Sequence, residues 1–429
     1  MVDETLPVSD PRPLRSLFLD LNSYFASVEQ NEDESLRGKP VAVAPMMADS
    51  TCVIAASYEA KRFGIKTGTN VGDAKRMCPD LLVLPGRPPL YTHYHRRVIE
   101  VLESVLPVEK VCSIDEMRFG LIGKEREPDE ARAIATRMKA ALREGVGPAM
   151  TCSVGIAPNA FLAKLGTEMQ KPDGLVVLEA RDLPRAFEGL KLTDFAGINR
   201  RMQARLNAAG VFTPLEMFAR TPQELRLAFG SVTGERWWYL LRGYLLPEEE
   251  EPRKSLSHSH VLPPDLRTDQ GCREVLLRLI QKASARLRSN GLWAGHMGVF
   301  VSAFTRGWKA DANLPPTQDT ITFNEYFLDA WRHRNFERPR GVGVVFSDLR
   351  TSDEVTFSLF DATEERAKLN QAVDGVNQKF GKNTIYLAGM QTAKDTADEK
   401  IAFNKTWLFS EGKDDNEWPD TFRGPEREP

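Results

Sequence analysis

The sequence predicts an α+β chain of several domains. Short apolar runs alternate with helical periodicity over residues 1–178, and residues 180–245 are mostly helical in shorter pieces. A glutamate-rich break at 248–251 then precedes a final α/β unit opened by a long basic amphipathic helix. Length agrees, since 429 residues make about three domains at roughly 150 residues each.

Taken in order, residues 16–21 (Ser-Leu-Phe-Leu-Asp-Leu) suit a buried strand, and the following Asn-Ser-Tyr-Phe-Ala-Ser suits a helix start. Residues 41–44 and 51–56 are two further short strands. Tyr91, Tyr94, Val98, Val101, Leu102 and Val105 recur at helical spacing until Pro107. Residues 108–121 read as strand, turn, strand, 129–145 as a helix, 150–156 as a strand, and 160–170 as a helix stopped before Lys171-Pro-Asp-Gly. An Ala-rich helix follows Asp194-Phe-Ala-Gly-Ile-Asn-Arg-Arg-Met. In the last unit, helices are expected at about 271–290 and 363–379, with strands at 297–304 and 341–346.

Composition removes several classes. With 41% hydrophobic and 27% charged residues, the chain is neither disordered nor a disulfide miniature. Cys52, Cys78, Cys112, Cys152 and Cys272 form no Cys-x-x-Cys pair, so no zinc ribbon or disulfide framework is indicated. No apolar run nears the roughly 18 residues of a membrane span, and residues 1–15 lack a signal peptide's apolar core, so a cytoplasmic protein is expected. Net charge is −3, yet residues 253–310 hold ten Lys/Arg against three Asp/Glu, a local potential suited to nucleic acid.

Two acidic motifs carry candidate chemistry. Asp20 ends an otherwise apolar strand, where a carboxylate is costly unless exposed, paired or bound to a cation. Asp115 and Glu116 are adjacent in Ser113-Ile-Asp-Glu, and in a regular strand neighbours face opposite ways, so both serve one site only if the chain bends. The plain alternatives are a helix-capping Asp and a solvated turn. Three converging carboxylates would make a two-magnesium site. Spacing alone leaves that convergence open.

Neighbouring blocks narrow the choice. Leu19-Asp-Leu-Asn-Ser-Tyr-Phe-Ala-Ser-Val-Glu-Gln and Leu36-Arg-Gly-Lys-Pro-Val-Ala-Val resemble the opening of Y-family translesion DNA polymerases. Tyr58-Glu-Ala-Lys-Arg-Phe-Gly-Ile-Lys-Thr-Gly with Ala74-Lys-Arg-Met-Cys-Pro resembles that family's fingers. Ser113-Ile-Asp-Glu, Cys152-Ser-Val-Gly-Ile-Ala-Pro-Asn, Phe161-Leu-Ala-Lys and Lys171-Pro-Asp-Gly resemble its palm. The blocks stand in the family's order over about residues 16–393. They are most similar to the DinB (polymerase IV) branch, with UmuC-like features at Asp20-Leu-Asn-Ser and in the C-terminal blocks.

The resemblance implies a right-hand polymerase. Its palm, a mixed sheet plus helices, would span 1–23 and 87–178, its fingers 24–86, and a helical thumb 179–246. A linker at 247–256 would lead to an α/β little finger at 257–395 and a mobile acidic tail at 396–429. Asp20, Asp115, Glu116 and the main-chain carbonyl of Leu21 would bind two Mg²⁺ ions. Ser23, Tyr24, Phe25, Tyr58, Lys61 and Lys171 would hold the nucleotide, with Phe25 as the steric gate against a 2′-hydroxyl. Cations and a hydroxyl suit phosphate oxygens.

Some positions depart from the family pattern. Lys61 stands where Arg is usual, Asn22 replaces an Asp, and Met117-Arg-Phe-Gly replaces an apolar-aromatic-Leu-Asp block. Gly197-Ile-Asn matches a helix-hairpin-helix Gly-Ile-Gly in part, with Asn199 read as a residue that tolerates left-handed backbone while main-chain amides meet a DNA phosphate. Arg253 and Lys254 would grip phosphates as well. Thr356, Phe357, Ser358, Leu359 and Phe360 occupy the place of a β-sliding-clamp peptide, with a buried strand as the competing reading.

The function implied is low-fidelity, low-processivity translesion synthesis by a monomer acting on primer-template DNA and dNTPs, through two-metal nucleotidyl transfer. Two readings compete. One is a non-catalytic relative of the ImuB kind, a scaffold on the clamp, disfavoured by retention of Asp20, Asp115 and Glu116. The other is a two-metal phosphodiesterase, which leaves Phe25 and the fingers block without a role.

Overall fold

The computed structural model describes residues 13–247, 254–355 and 363–396. They form two compact units, residues 13–247 and the described residues from 254 onward.

In the first unit, β1 (Ser16–Leu21) leads into α1 (Tyr24–Glu32). Next come β2 (Val41–Ala44), β3 (Ala55–Ala56), α2 (Tyr58–Lys61), α3 (Val71–Met77) and β4 (Leu82–Pro85). The chain continues through α4 (Pro88–Glu103), β5 (Lys110–Val111), β6 (Glu116–Gly120) and α5 (Pro128–Gly145). Then follow β7 (Cys152–Ala157), α6 (Ala160–Met169) and β8 (Leu175–Val177).

A mixed sheet of order β5-β6-β1-β7-β8 forms the centre, with β1 antiparallel to both neighbours. Alternation along β1 divides its side chains between two cores. Leu17, Leu19 and Leu21 join Tyr91, Val98, Ile134 and Met138 from α4 and α5. Phe18 joins Leu162 and Leu165 of α6 on the other face. Burial on both faces explains why β1 reads as a nearly unbroken apolar run. Asp20 shares Phe18's side and so faces α6. That helix lies close to the sheet because Gly155 has no Cβ, which would sit 2.0 Å from the Ala163 carbonyl oxygen.

A smaller sheet, β3-β2-β4, packs with α2 and α3 around Ala42, Ala44, Ile65, Val71 and Ala74. Only Ala55–Ala56 of the expected strand at 51–56 is extended in a ladder. Val53 instead donates to Thr69 and accepts from Gly68, a loop-to-loop pairing that alternation could not reveal.

The helical remainder holds α7 (Arg200–Ala208), α8 (Pro214–Ala219), α9 (Pro222–Phe229) and α10 (Val232–Leu241), as expected for short pieces. Thr213 with Glu216 and Thr221 with Glu224 form capping boxes that start α8 and α9.

The second unit is a four-stranded antiparallel sheet, β11-β10-β12-β9, covered by helices. Its elements are β9 (Ser255–Val261), α11 (Asp269–Ser289), β10 (Trp293–Arg306), β11 (Trp308–Thr317), α12 (Thr320–Trp331), β12 (Glu337–Arg350) and α13 (Thr363–Phe380). Leu276, Ile280, Phe323, Phe327, Val344 and Phe346 centre its core. Both expected strands are present and longer than foreseen, whereas β11 and α12 were not anticipated. The α+β class holds throughout.

Candidate active site

Asp20 and Glu116 are partners in register on adjacent antiparallel strands. Asp115 joins them because the chain bends just before β6: Cys112 and Ser113 both donate main-chain N–H bonds to the Glu116 carbonyl. The Ser113 hydroxyl donates to Asp115 Oδ1 at 2.5 Å, and Leu21 N–H donates to the Asp115 carbonyl at 2.8 Å. The bend that two adjacent carboxylates required is therefore present. His95 of α4, fully buried, donates from Nδ1 to the Ile114 carbonyl at 2.7 Å and steadies the same turn. Met117, one of the departures, is fully buried in the core beneath the site and supports it by packing.

Two ammonium groups enter this cluster from the α6 side. Lys164 Nζ lies 2.5 Å from Asp20 Oδ2, 3.0 Å from Glu116 Oε1 and 3.0 Å from Glu168 Oε1. Lys171 Nζ lies 2.9 Å from Asp20 Oδ1 and 2.8 Å from Glu168 Oε1. Neither Lys164 nor Glu168 was among the expected site residues. The signal was nonetheless available: Lys164 ends the Phe161-Leu-Ala-Lys block, and Glu168 follows one helical turn later on the same face.

Asn22 closes the other side. Its Oδ1 accepts the Asp173 main-chain N–H at 2.8 Å and its Nδ2 donates to Ser153 Oγ at 3.0 Å, holding the 171–174 turn against β1 and β7. Ser23 adopts left-handed backbone (φ 51, ψ 41) as it turns the chain into α1, a conformation that is costly for a residue with a Cβ and clusters at functional sites. Ser57 caps the one-turn helix α2, which carries Tyr58 at its start and Lys61 at its end. The Lys61 ammonium lies 4.2 Å from the centre of the Tyr58 ring. Phe25 stacks on Tyr91 with ring centres 4.4 Å apart, and Tyr24 Oη donates to the Tyr91 carbonyl at 2.6 Å.

The electrostatics bind these groups into one cluster. Burial, then the charges of Asp20 and Glu116, raises the Asp115 carboxyl to about 6 against the pull of Ser113 and Lys164. Burial, then Asp20 and Glu168, pushes the Tyr58 phenol up to about 12. Lys61 is lowered by burial and by Lys171. Lys164, which burial alone would lower, is raised by Asp20, Glu116 and Glu168.

Among the described residues no three His, Cys, Asp or Glu side chains stand at metal-ligand spacing. The space between Asp20 and Glu116 holds the Lys164 ammonium. The donor set still fits magnesium: all its ligating atoms are oxygens, and mutual repulsion among the carboxylates is relieved by an added cation.

A cavity of about 700 Å³ runs from Lys164 and Glu168 to Gly197 and Asn199. Here the left-handed backbone expected at Asn199 is corrected. Gly197 carries the left-handed backbone (φ 103), while Asn199 is extended and caps α7, its side chain accepting the Arg201 and Met202 amides. Those two amides are thereby satisfied within the chain rather than offered to a phosphate. Lys254 is exposed just before β9, in the second unit. Arg253 and the clamp-peptide residues 356–360 lie outside the described residues.

The chain is similar to known proteins over most of its length. Residues 19–168 match the impB/mucB/samB family and residues 253–359 match the impB/mucB/samB family C-terminal domain. DNA polymerase IV of Moorella thermoacetica is 33% identical over 383 residues, covering 87% of this chain and 95% of that protein. DNA polymerase IV 1 of Bacillus subtilis is 28% identical, covering 94% and 100%. A Y-family DNA polymerase chimera of Dbh and Dpo4 superposes with a TM-score of 0.65 at 23% identity, covering 79% of this chain and all of that one, a likeness of fold. The chain belongs to the impB/mucB/samB family, and its relatives are DNA polymerases IV.

Proposed function

We propose that the chain is a template-directed DNA polymerase that copies damaged templates by nucleotidyl transfer. One observation carries the reading. Asp20, Asp115 and Glu116, from a strand end and a bend, meet Tyr58, Lys61 and Lys171, from a one-turn helix and a loop, around a single cluster.

Asp20, Asp115, Glu116 and the Leu21 carbonyl would hold two Mg²⁺ ions, which supply charge neutralisation at the attacking and leaving oxygens. The protein's own groups do the rest. Lys171 and Lys61 present donors to triphosphate oxygens, and Tyr58, kept protonated, adds a hydroxyl. Phe25, pinned by Tyr91, forms an unyielding wall where the sugar would stand. Asn22 holds the Lys171 turn in place, and Ser113 with His95 orients Asp115.

The substrates this chemistry points to are primer-template DNA and dNTPs. Clamp docking through 356–360, a monomeric state and a cytoplasmic setting rest on the sequence; among the described residues no helix is long and apolar enough to cross a membrane. The test is extension of a labelled primer with Mg²⁺ and dNTPs on undamaged and abasic templates. Extension by wild type but not by Asp115→Ala is expected. No extension by folded protein that still binds primer-template would overturn the reading in favour of the scaffold.

A further inference from the structure

Three lysines approach the acidic cluster, and Lys164 stands apart from Lys61 and Lys171. It projects from the middle of α6, whose backbone is set against β7 at Gly155. Its ammonium lies between Asp20 and Glu116, the two carboxylates that face each other in register, with the Phe18 ring 5.5 Å away. The third contact, with Glu168, is made within its own helix, one turn on.

Resting on the polymerase reading of this site, we propose that Lys164 is a built-in counter-ion that holds Asp20 and Glu116 together in the metal-free protein and gives them up to the metal while keeping Glu168. Two like charges on neighbouring strands repel, and a single ammonium bridging both removes that repulsion. A divalent cation arriving among the same oxygens is repelled by the ammonium and competes for the same lone pairs. Lys164 has somewhere to go, because Glu168 already accepts it at 3.0 Å. Four rotatable bonds in the lysine stem allow the release without movement of α6. The site thus keeps its shape without metal, and its affinity for metal is lower than the three carboxylates alone would give.

The test is Mn²⁺ binding to the full-length protein without DNA or nucleotide, read as free Mn²⁺ by electron paramagnetic resonance, with thermal melts in EDTA alongside. Lys164→Met is expected to bind Mn²⁺ at least about fivefold more tightly than wild type and to melt at lower temperature in EDTA. Unchanged or weaker Mn²⁺ binding overturns the proposal. If Lys164→Met does not fold, Glu168→Gln decides: with the alternative seat gone, weaker Mn²⁺ binding is expected, and unchanged or tighter binding overturns the proposal. Asp20→Asn separates this from the parent reading, since it should abolish Mn²⁺ binding, and full retention would sink the metal site itself.

Discussion

Asn22 Oδ1 accepts the Asp173 main-chain N–H at 2.8 Å, so the end of the strand carrying Asp20 is tied directly to the turn carrying Lys171. Asn22 is 1% exposed and its amide also donates to Ser153. The position was notable in sequence only as a departure from an expected Asp. In the fold it is a clamp between β1, β7 and the 171–174 turn.

Replacing Asn22 with Ala leaves the Asp173 amide without this partner, at a cost of about 1–3 kcal/mol. It also frees the turn, so the expected kinetic signature is a raised KM for dNTP. Asn22→Asp keeps the acceptor and should retain most of the wild-type KM. Urea unfolding and single-nucleotide incorporation check both; an Asn22→Ala protein with wild-type stability and KM would show the clamp to be idle.

His95 gives the fold a pH dependence whose sign is fixed by its burial. Burial, with a smaller push from Arg96, lowers the imidazole to about 4 despite the bond to Ile114. The unfolded chain takes up this proton near pH 6.5, while the folded protein refuses it until about pH 4. Stability from this group is therefore complete above pH 6.5 and lost as pH falls towards 4, about 2 kcal/mol being gone at pH 5. His95→Gln keeps a donor for Ile114 and does not titrate. Between pH 7 and 5 it should lose about 2 kcal/mol less than wild type in urea unfolding, and parallel losses would refute the assignment.

Legibility in the sequence followed the range of the interactions. β1 was readable because an apolar strand with one terminal Asp is a local pattern, and Asp115 with Glu116 because the pair is contiguous. Lys164 was overlooked although its block was noted, since which face of α6 meets the sheet depends on Gly155 and on β1's alternation. His95 did carry a local signal, since it stands four residues after Tyr91 and three before Val98 on the buried stripe of α4, but that it meets the 113–115 bend depends on packing that spacing does not show. β11 was missed because Lys309, Asp311 and Asn313 alternate outward on an edge strand and Pro315-Pro316 reads as a breaker. α12 did carry a signal that went unused, Asp319 as N-cap followed by Phe323, Phe327 and Trp331 at every fourth position.

Lys61 should report on the triphosphate. Burial and the charge of Lys171 weaken its hold on a proton, a strain that an anion placed between the two lysines relieves. Lys61→Ala is expected to raise the KM for dNTP about tenfold or more, the worth of one charge-assisted contact. Lys61→Arg supplies a planar fork in place of a point charge, so its KM should equal or fall below that of wild type. Steady-state incorporation of one nucleotide distinguishes the three proteins, and an unchanged KM in Lys61→Ala would remove Lys61 from the nucleotide site.

Phe25 is both a core residue and the expected gate, and the two roles make separable predictions. The ring is 4% exposed and stacked on Tyr91, whose hydroxyl donates to Glu29 at 2.7 Å while Glu29 is paired with Arg87. A ring backed in this way cannot retreat from a 2′-hydroxyl. Phe25→Ala should cost about 3–5 kcal/mol of stability as a buried aromatic truncation. If the ring also bounds the sugar, incorporation of ribonucleotides relative to deoxyribonucleotides rises at least tenfold, roughly the range seen for opening or closing space in an apolar pocket. Phe25→Leu keeps more apolar volume, so it should recover stability while still relaxing sugar selection in part. Thermal melts and competitive incorporation of ribo- and deoxynucleotides, made on the same preparations, separate the roles. Lost stability with unmoved sugar selection would leave Phe25 as core alone, whereas relaxed selection in the better-folded Phe25→Leu ties the gate to the ring itself.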